Sequence, residues 1–257
     1  MDLGFAGKTF VVLGGTRGIG RQIAEQIVEE GGRVVVVARN YLALQEFCSD
    51  VSRRFGYDRI LGVAADCLNH TDLDRLREDI KSLGYQIGGL VMNVGSGQGS
   101  VEPIPSSDDW EASWRTNFVS SLLPARELLP VLNETGSSMV FVGSIAGAEV
   151  IGAPTEYSTS KAAQMALTKN LAIKLAPLVR VNMVMPGNVL TEEGTWAKKL
   201  AANPREISKM INDRVPLQRF GSPIEIANAV CFLLSEVSAF TTGAILRVDG
   251  GQSVGIE

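Results

Sequence analysis

A glycine-rich heptapeptide near the amino end constrains this chain most. Gly14-Gly15-Thr16-Arg17-Gly18-Ile19-Gly20 stands between an apolar run, Lys8 to Leu13, and an amphipathic stretch, Arg21 to Glu30. The pattern reads as strand, turn and helix, and a second apolar run, Arg33 to Val37, completes a βαβ unit. Such a turn lets the backbone approach a diphosphate closely, and the helix start offers it unpaired amide hydrogens and the positive end of a dipole. A nucleotide site is therefore expected at the end of the first strand. The glycine spacing departs from the common G-x-G-x-x-G fingerprint, because three residues separate Gly14 from Gly18.

Apolar strand candidates recur at residues 8–14, 33–37, 60–65, 89–93, 138–143, 180–184 and 245–248, with helical patterns between them. Runs such as Val34-Val35-Val36-Val37 are apolar on both faces, as a parallel sheet covered on both sides requires. The expected fold class is α/β: a Rossmann-type doubly wound sheet of about seven parallel strands flanked by helices on both faces. At 257 residues, with 45% apolar and 20% charged content, the chain suits a single domain with a well-buried core.

Charge and cysteine content exclude several functions. The net charge is -4 and no long basic run exists to neutralise phosphates, so nucleic acid is not expected as a partner. Cys48, Cys67 and Cys231 are scattered and His70 is the only histidine, so neither a disulfide framework nor a metal site is expected. No apolar run approaches the ~18 residues that cross a bilayer, and Asp2 and Lys8 interrupt anything like a secretory signal. A soluble, cytoplasmic protein without a membrane partner is expected.

Chemistry is concentrated further along. Ser144 follows the apolar run Met139-Val140-Phe141-Val142-Gly143, Tyr157 comes thirteen residues later, and Lys161 closes Tyr157-Ser158-Thr159-Ser160-Lys161. If residues 157–175 are helical, Tyr157 and Lys161 are i,i+4 neighbours on one face. A nearby cation favours phenolate, so the Tyr157 pKa is expected to fall from its usual value near 10, making the side chain a usable general acid or base. Ser144 can hydrogen-bond the oxygen on which charge develops. Taken alone, Tyr-x-x-x-Lys is an ordinary helix-surface pair, Ser144 a turn residue and Asn117 a helix-bending or capping amide.

The combination of Gly14-x-x-x-Gly18-Ile19-Gly20 with Ser144, Tyr157 and Lys161 resembles the short-chain dehydrogenase/reductase family, and the likeness covers nearly the whole chain. Leu90-Val91-Met92-Asn93-Val94-Gly95 is similar to its Asn-Asn-Ala-Gly strand end, and Asn117 in Trp114-Arg115-Thr116-Asn117 matches its catalytic asparagine. Arg180-Val181-Asn182 with Pro186-Gly187, Arg219-Phe220-Gly221-Ser222-Pro223 and Val248-Asp249-Gly250-Gly251 match later family segments. The resemblance implies hydride transfer between a ketone and a secondary alcohol, with Asn117, Ser144, Tyr157 and Lys161 catalytic. Tyr157 would give the proton, Lys161 would also hold the nicotinamide ribose, and Asn117 would hold a water that carries the proton onward.

The implied cofactor residues are Gly14, Thr16, Arg17, Gly18, Ile19, Gly20, Ala38, Arg39, Asn40, Asp66, Cys67, Asn93, Gly95, Tyr157, Lys161, Pro186, Gly187, Val189 and Thr191. NAD enzymes usually carry an acid at the end of the second strand, whereas here the residues are Val37-Ala38-Arg39-Asn40. Arg39 can bind a 2′-phosphate in bidentate fashion and Arg17 adds a second positive charge, so NADP(H) is expected rather than NAD. Three departures from the family, Leu13, Met92 and Val94, are expected to be neighbours that exchange polar links for apolar packing, a reading that fails if they lie apart.

Residues 190–215 are expected to form a mobile lid over the substrate. Ser96, Ser144 and Trp196 are the implied substrate residues; Trp196 is either an apolar wall for substrate or a lid residue packing on its own domain. Overall the chain is similar to 3-oxoacyl-acyl-carrier-protein reductases, which implies a 3-oxoacyl thioester. Asn93-Val94-Gly95-Ser96-Gly97 and Gly194-Thr195-Trp196 resemble reductases of sugar and polysaccharide pathways, which implies a sugar-like ketone instead. A nonenzymatic cofactor-binding regulator fits less well because Tyr157 and Lys161 are retained, and a sugar-nucleotide epimerase less well because the chain is short. Relatives commonly form tetramers, so a homotetramer or homodimer is expected, using carboxyl-terminal strands and a face of the Tyr157 helix with Ala162, Met165, Ala166, Ala172 and Ile173.

Overall fold

The computed structural model describes residues 2–132 and 136–255. Among the described residues, strands β1 (Thr9–Leu13), β2 (Arg33–Ala38), β3 (Ile60–Ala64), β4 (Ile87–Met92), β5 (Ser137–Val142), β6 (Val179–Pro186) and β7 (Ile245–Val248) form one parallel sheet. Its order is β3-β2-β1-β4-β5-β6-β7. Every expected strand is present, with ends displaced by at most two residues.

Alternation along the strands divides the core in two. Val12, Val34, Val36, Val91, Val140 and Val184 face a cluster that includes Ile23 and Ile27 of α1 (Gly18–Glu29), Phe47 and Val51 of α2 (Tyr41–Phe55), and Ile226 and Val230 of α9 (Pro223–Leu234). Val11, Leu13, Val35, Leu90, Met139, Phe141 and Met183 face the opposite way. They meet Leu73, Leu76 and Ile80 of α3 (His70–Ser82), Leu128 of α5 (Ser120–Leu128) and Ala172 of α6 (Thr155–Leu175). Apolar strands covered on both faces follow directly from these two clusters.

Polar side chains set several helix ends. Asn69 Oδ1 accepts from the Thr71 and Asp72 amides at 2.9 and 3.2 Å, capping α3. At the other end of α9, the buried Arg180 of β6 donates to the carbonyls of Leu233, Leu234 and Ser235 at 2.9, 3.2 and 3.0 Å. Those carbonyls belong to the last turn, whose acceptors have no partner within the helix.

The chain winds in one direction from β1 to β3 and in the other from β4 to β7. A crevice therefore opens at the carboxyl ends of β1 and β4. Helices α7 (Thr195–Ala202) and α8 (Pro204–Arg214) follow β6 on that side of the chain order; none of the α7 residues is buried, and of α8 only Ile211 is. No described helix is long and apolar enough to cross a membrane.

The proposed apolar face of α6 is split. Ala172 belongs to the chain's own core and Met165 packs against it, whereas Ala162, Ala166 and Ile173 are exposed. The five residues span an arc of the helix wide enough that one side of it meets the core and the other meets solvent.

Candidate active site

The glycine turn forms the floor of the crevice. Gly14 follows β1 with φ of 71°, a left-handed conformation that glycine adopts without strain. Its amide donates to the Val37 carbonyl at 2.7 Å, and its carbonyl accepts from Asn93 Nδ2, at the end of β4, at 3.0 Å. Gly20 closes this arrangement: a Cβ there would overlap both the Gly14 carbonyl and the Asn93 amide. Arg17 precedes α1 in extended conformation and gives it no side-chain cap, leaving the first amides of the helix open to an anion. Thr16 and Ile19 are half-buried, Ile19 packing against the core.

Leu13 and Met92 are cross-strand partners in the β1–β4 register, and both are fully buried in one cluster against which Val94 packs. The three departures from the family pattern are therefore neighbours, packed together through apolar side chains.

At the far end of the crevice, Ala38 closes β2 and pairs with Ala64 of β3. Arg39 and Arg17 are exposed, and neither forms an ion pair among the described residues. Asn40 is exposed, and its side-chain Oδ1 accepts from the Ala43 amide at 3.1 Å, capping α2. Asp66 Oδ1 accepts from the Leu68 amide at 2.9 Å, shaping its own turn. Cys67 is buried, which pushes its thiol up to about 12; the Asp66 charge adds to the rise and Arg39 opposes it.

The four expected catalytic residues come from three elements. Ser144 follows β5 and caps a short 3-10 turn, Ile145–Gly147, with its hydroxyl accepting from the Ala146 amide at 3.2 Å. It also hydrogen-bonds Tyr157, in the first turns of α6. One turn on, Lys161 Nζ lies 5.8 Å from the Tyr157 ring centroid and donates to the Val142 carbonyl at 3.2 Å and to Gln164 Oε1 at 2.9 Å. Asn117 sits in a π-helical turn, Arg115–Val119, between α4 (Ser107–Trp114) and α5. That wide turn, which sequence periodicity did not suggest, frees Asn117 to point inward. Its Oδ1 accepts from the Ser96 amide at 2.8 Å and its Nδ2 donates to the Ser113 carbonyl at 3.1 Å. Gly95 bridges the set: a Cβ on it would stand 3.1 Å from Asn117 Oδ1 and 3.3 Å from Lys161 Nζ.

The expected fall in the Tyr157 pKa is not found. Burial raises it, and the Ser144 hydrogen bond pulls it partly back. Lys161 is itself pushed down to about 8 by burial. Removing both charged forms from water outweighs their mutual attraction across 5.8 Å.

The segment Pro186–Thr191 runs from β6 past the same crevice. The Gly187 amide donates to the Val248 carbonyl at 3.1 Å, and Val189 bridges to Gly221 through the Leu190 and Asn188 backbones, so its own N–H is left out of that pairing. Thr191 overlies the glycine turn, where a Cβ on Gly18 would stand 3.5 Å from its methyl group. Trp196, on α7, packs on Phe220 with ring centroids 5.7 Å apart and carries Lys199 over its face at 4.9 Å. Behind Leu190 and Thr191 a cavity of about 570 Å³ is lined by Glu192, Ala197, Leu200, Ala201 and Pro204 as well.

Sequence reasoning missed several polar groups here. Gln164 and Ser121 lie fully buried behind Lys161. Glu156, next to Tyr157 and 1% exposed, accepts from the Ser100 amide at 2.7 Å and so ties down the loop after β4. A polar residue three places after Lys161, within Ala162-Ala163-Gln164-Met165-Ala166, was the available signal for Gln164.

The family described as enoyl-(acyl carrier protein) reductase matches residues 14–253. A 3-oxoacyl-[acyl-carrier-protein] reductase of Aquifex aeolicus is 32% identical over 98% of this chain and 99% of its own. An acetoacetyl-CoA reductase of Synechocystis sp. is also 32% identical, over 97% and 98%. Among solved structures, L-sorbose reductase from Gluconobacter frateurii, complexed with NADPH and L-sorbose, superposes with a TM-score of 0.92 at 30% identity, covering 100% of both chains.

Proposed function

Because the chain belongs to the short-chain dehydrogenase/reductase family and is an NADP-dependent carbonyl/alcohol oxidoreductase, we propose that it reduces a 3-oxoacyl thioester to the secondary alcohol, with Tyr157 as proton donor. The observation that carries the chemistry is Tyr157 beside Ser144, with Lys161 Nζ 5.8 Å from its ring and held by Gln164 and the Val142 carbonyl, next to a glycine turn that leaves room for a diphosphate.

The residues present fit NADP(H). The glycine floor admits no Cβ at Gly20, the first amides of α1 are uncapped, and Arg17 and Arg39 are free to pair with a 2′-phosphate. Bound there, the cofactor supplies a hydride to the substrate carbon. Tyr157 holds the proton for the substrate oxygen: burial raises its pKa, so the phenol is protonated at neutral pH and suited to the reduction direction. Ser144 orients that oxygen through its hydroxyl. The Lys161 ammonium offsets negative charge on Tyr157 once the proton has left, and Asn117 holds the loop at Ser96 beside it.

An apolar chain suits the cavity lined by Leu190, Ala197, Leu200, Ala201 and Pro204. α7 and α8 act as its lid, since so little of them is buried. Subunits associate through the exposed part of α6 at Ala162, Ala166 and Ile173. A keto sugar is the second reading, favoured by the superposition on L-sorbose reductase.

The test is NADPH oxidation by the wild-type enzyme and Tyr157→Phe over a panel of 3-oxoacyl thioesters, keto sugars and steroid ketones. The highest kcat/KM is expected on a 3-oxoacyl thioester, falling ~100- to 10,000-fold in Tyr157→Phe. Preference for a keto sugar overturns the substrate; undiminished turnover by the variant overturns the proton donor.

A further inference from the structure

Behind Tyr157 and Lys161 lies a polar chain that this mechanism leaves unused. Gln164 and Ser121 are both 0% exposed, on α6 and α5. Gln164 Oε1 accepts from Lys161 Nζ at 2.9 Å, while Gln164 Nε2 donates to Ser121 Oγ at 2.6 Å. The two contacts set the carboxamide one way round, because the reverse orientation would turn an NH2 group toward an ammonium. An ammonium has three donors. Gln164 and the Val142 carbonyl take two of them, leaving one for the crevice that Gly95 and Tyr157 border.

We propose that Gln164, itself held by Ser121, is a positioning residue for the reduction: it keeps Lys161 in its ammonium form and aims a single N–H at the reacting side of the crevice. The proposal rests on the catalytic reading of Tyr157 and Lys161 given above. A buried charge needs hydrogen-bonding partners where water is excluded. The groups around Nζ supply no negative charge in their place. Tyr157 faces it from α6, the Val142 carbonyl from β5 and Asn117 from the π-helical turn, and no carboxylate pairs with Lys161 among the described residues. Glu156, on the same helix, is turned to the Ser100 amide instead. Burial has already lowered Lys161 to about 8, so the Gln164 carbonyl acts where small changes alter the charged fraction at working pH.

The sign follows from the ammonium being the form required for reduction. Activity is lost as pH rises through the Lys161 pKa. Gln164→Leu removes an acceptor and is expected to move the alkaline limb of kcat/KM down by roughly one to two pH units; Gln164→Glu supplies a carboxylate and is expected to move it up. Both profiles are measured with NADPH and the preferred ketone, with Tm followed in parallel. A glutamine that only supports the fold would lower Tm and leave the limb in place, which overturns the proposal. So would a shift of the same sign in both variants. If Gln164→Leu fails to fold, the direction of the Gln164→Glu shift decides alone. Tyr157→Phe, run alongside, separates the two ideas: its undiminished turnover overturns the catalytic reading, whereas its loss with unmoved Gln164 profiles overturns only the role of Gln164.

Discussion

The floor of the crevice and the segment above it are built on opposite principles. Gly14, Gly20 and Asn93 interlock through backbone and amide contacts so close that no Cβ fits at Gly20, and the strands beneath are fully buried. α7 and α8 carry almost nothing into the core, and Trp196 finds its partners in Phe220 and Lys199. The difference separates tasks. A diphosphate is recognised by backbone groups that must already be in place, so rigidity there lowers the ordering cost of binding. A substrate pocket closed by weakly anchored helices can open and close within the fold's stability, since local opening draws on few buried contacts.

The comparison can be broken at either region. The largest effect is expected from Gly20→Ala: the new methyl must displace backbone, destabilising the protein by about 3 kcal/mol and abolishing NADPH binding. Thermal denaturation and a cofactor fluorescence titration check this, and a well-folded, binding variant would mean the floor is not rigid. Arg39→Leu comes next. Loss of a charge-assisted phosphate contact is expected to raise the Kd for NADPH ~10- to 100-fold while leaving NADH binding and Tm unchanged, read by parallel titrations. In the upper segment, Leu200→Asp is expected to raise KM for a long-chain 3-oxoacyl thioester ~10-fold with kcat for a short ketone preserved, since an apolar wall becomes polar. Smallest is Trp196→Ala, costing about 1 kcal/mol or less in stability because one tilted ring pair is lost from a part-exposed site. A large drop in Tm for that variant would place Trp196 in the load of the fold and remove the contrast.

Much of the fold was readable because the signals were local. The apolar run before Gly14, the glycine turn and the alternating valines each specify an element through its own periodicity, and the structure returns every strand within two residues. The nearness of Leu13 and Met92 was also readable, since both stand in apolar strand candidates where the chain departs from the family pattern. Other features depended on distance in the chain. The π-helical turn at Asn117 arises where two helical stretches meet, and no period of 3.6 residues announces it. The place of Asn40 at the end of the second strand was legible, but that its side chain caps α2 was not. The Tyr157 pKa was misjudged because adjacency on a helix reveals a charge partner but not the depth of burial.

Linear order alone was enough for the parallel architecture, the anion-binding turn and the presence of Ser144, Tyr157 and Lys161 within one short stretch, since these rest on interactions between near neighbours or on alternation along single strands. Folding added what depends on packing between remote segments. It brought Gln164 and Ser121 together behind Lys161, aimed Asn117 at Ser96, left Arg17 and Arg39 without ion-pair partners among the described residues, and raised the Tyr157 pKa where a cation neighbour alone would have lowered it. Desolvation decides that last point, and desolvation belongs to the packed whole rather than to any run of residues.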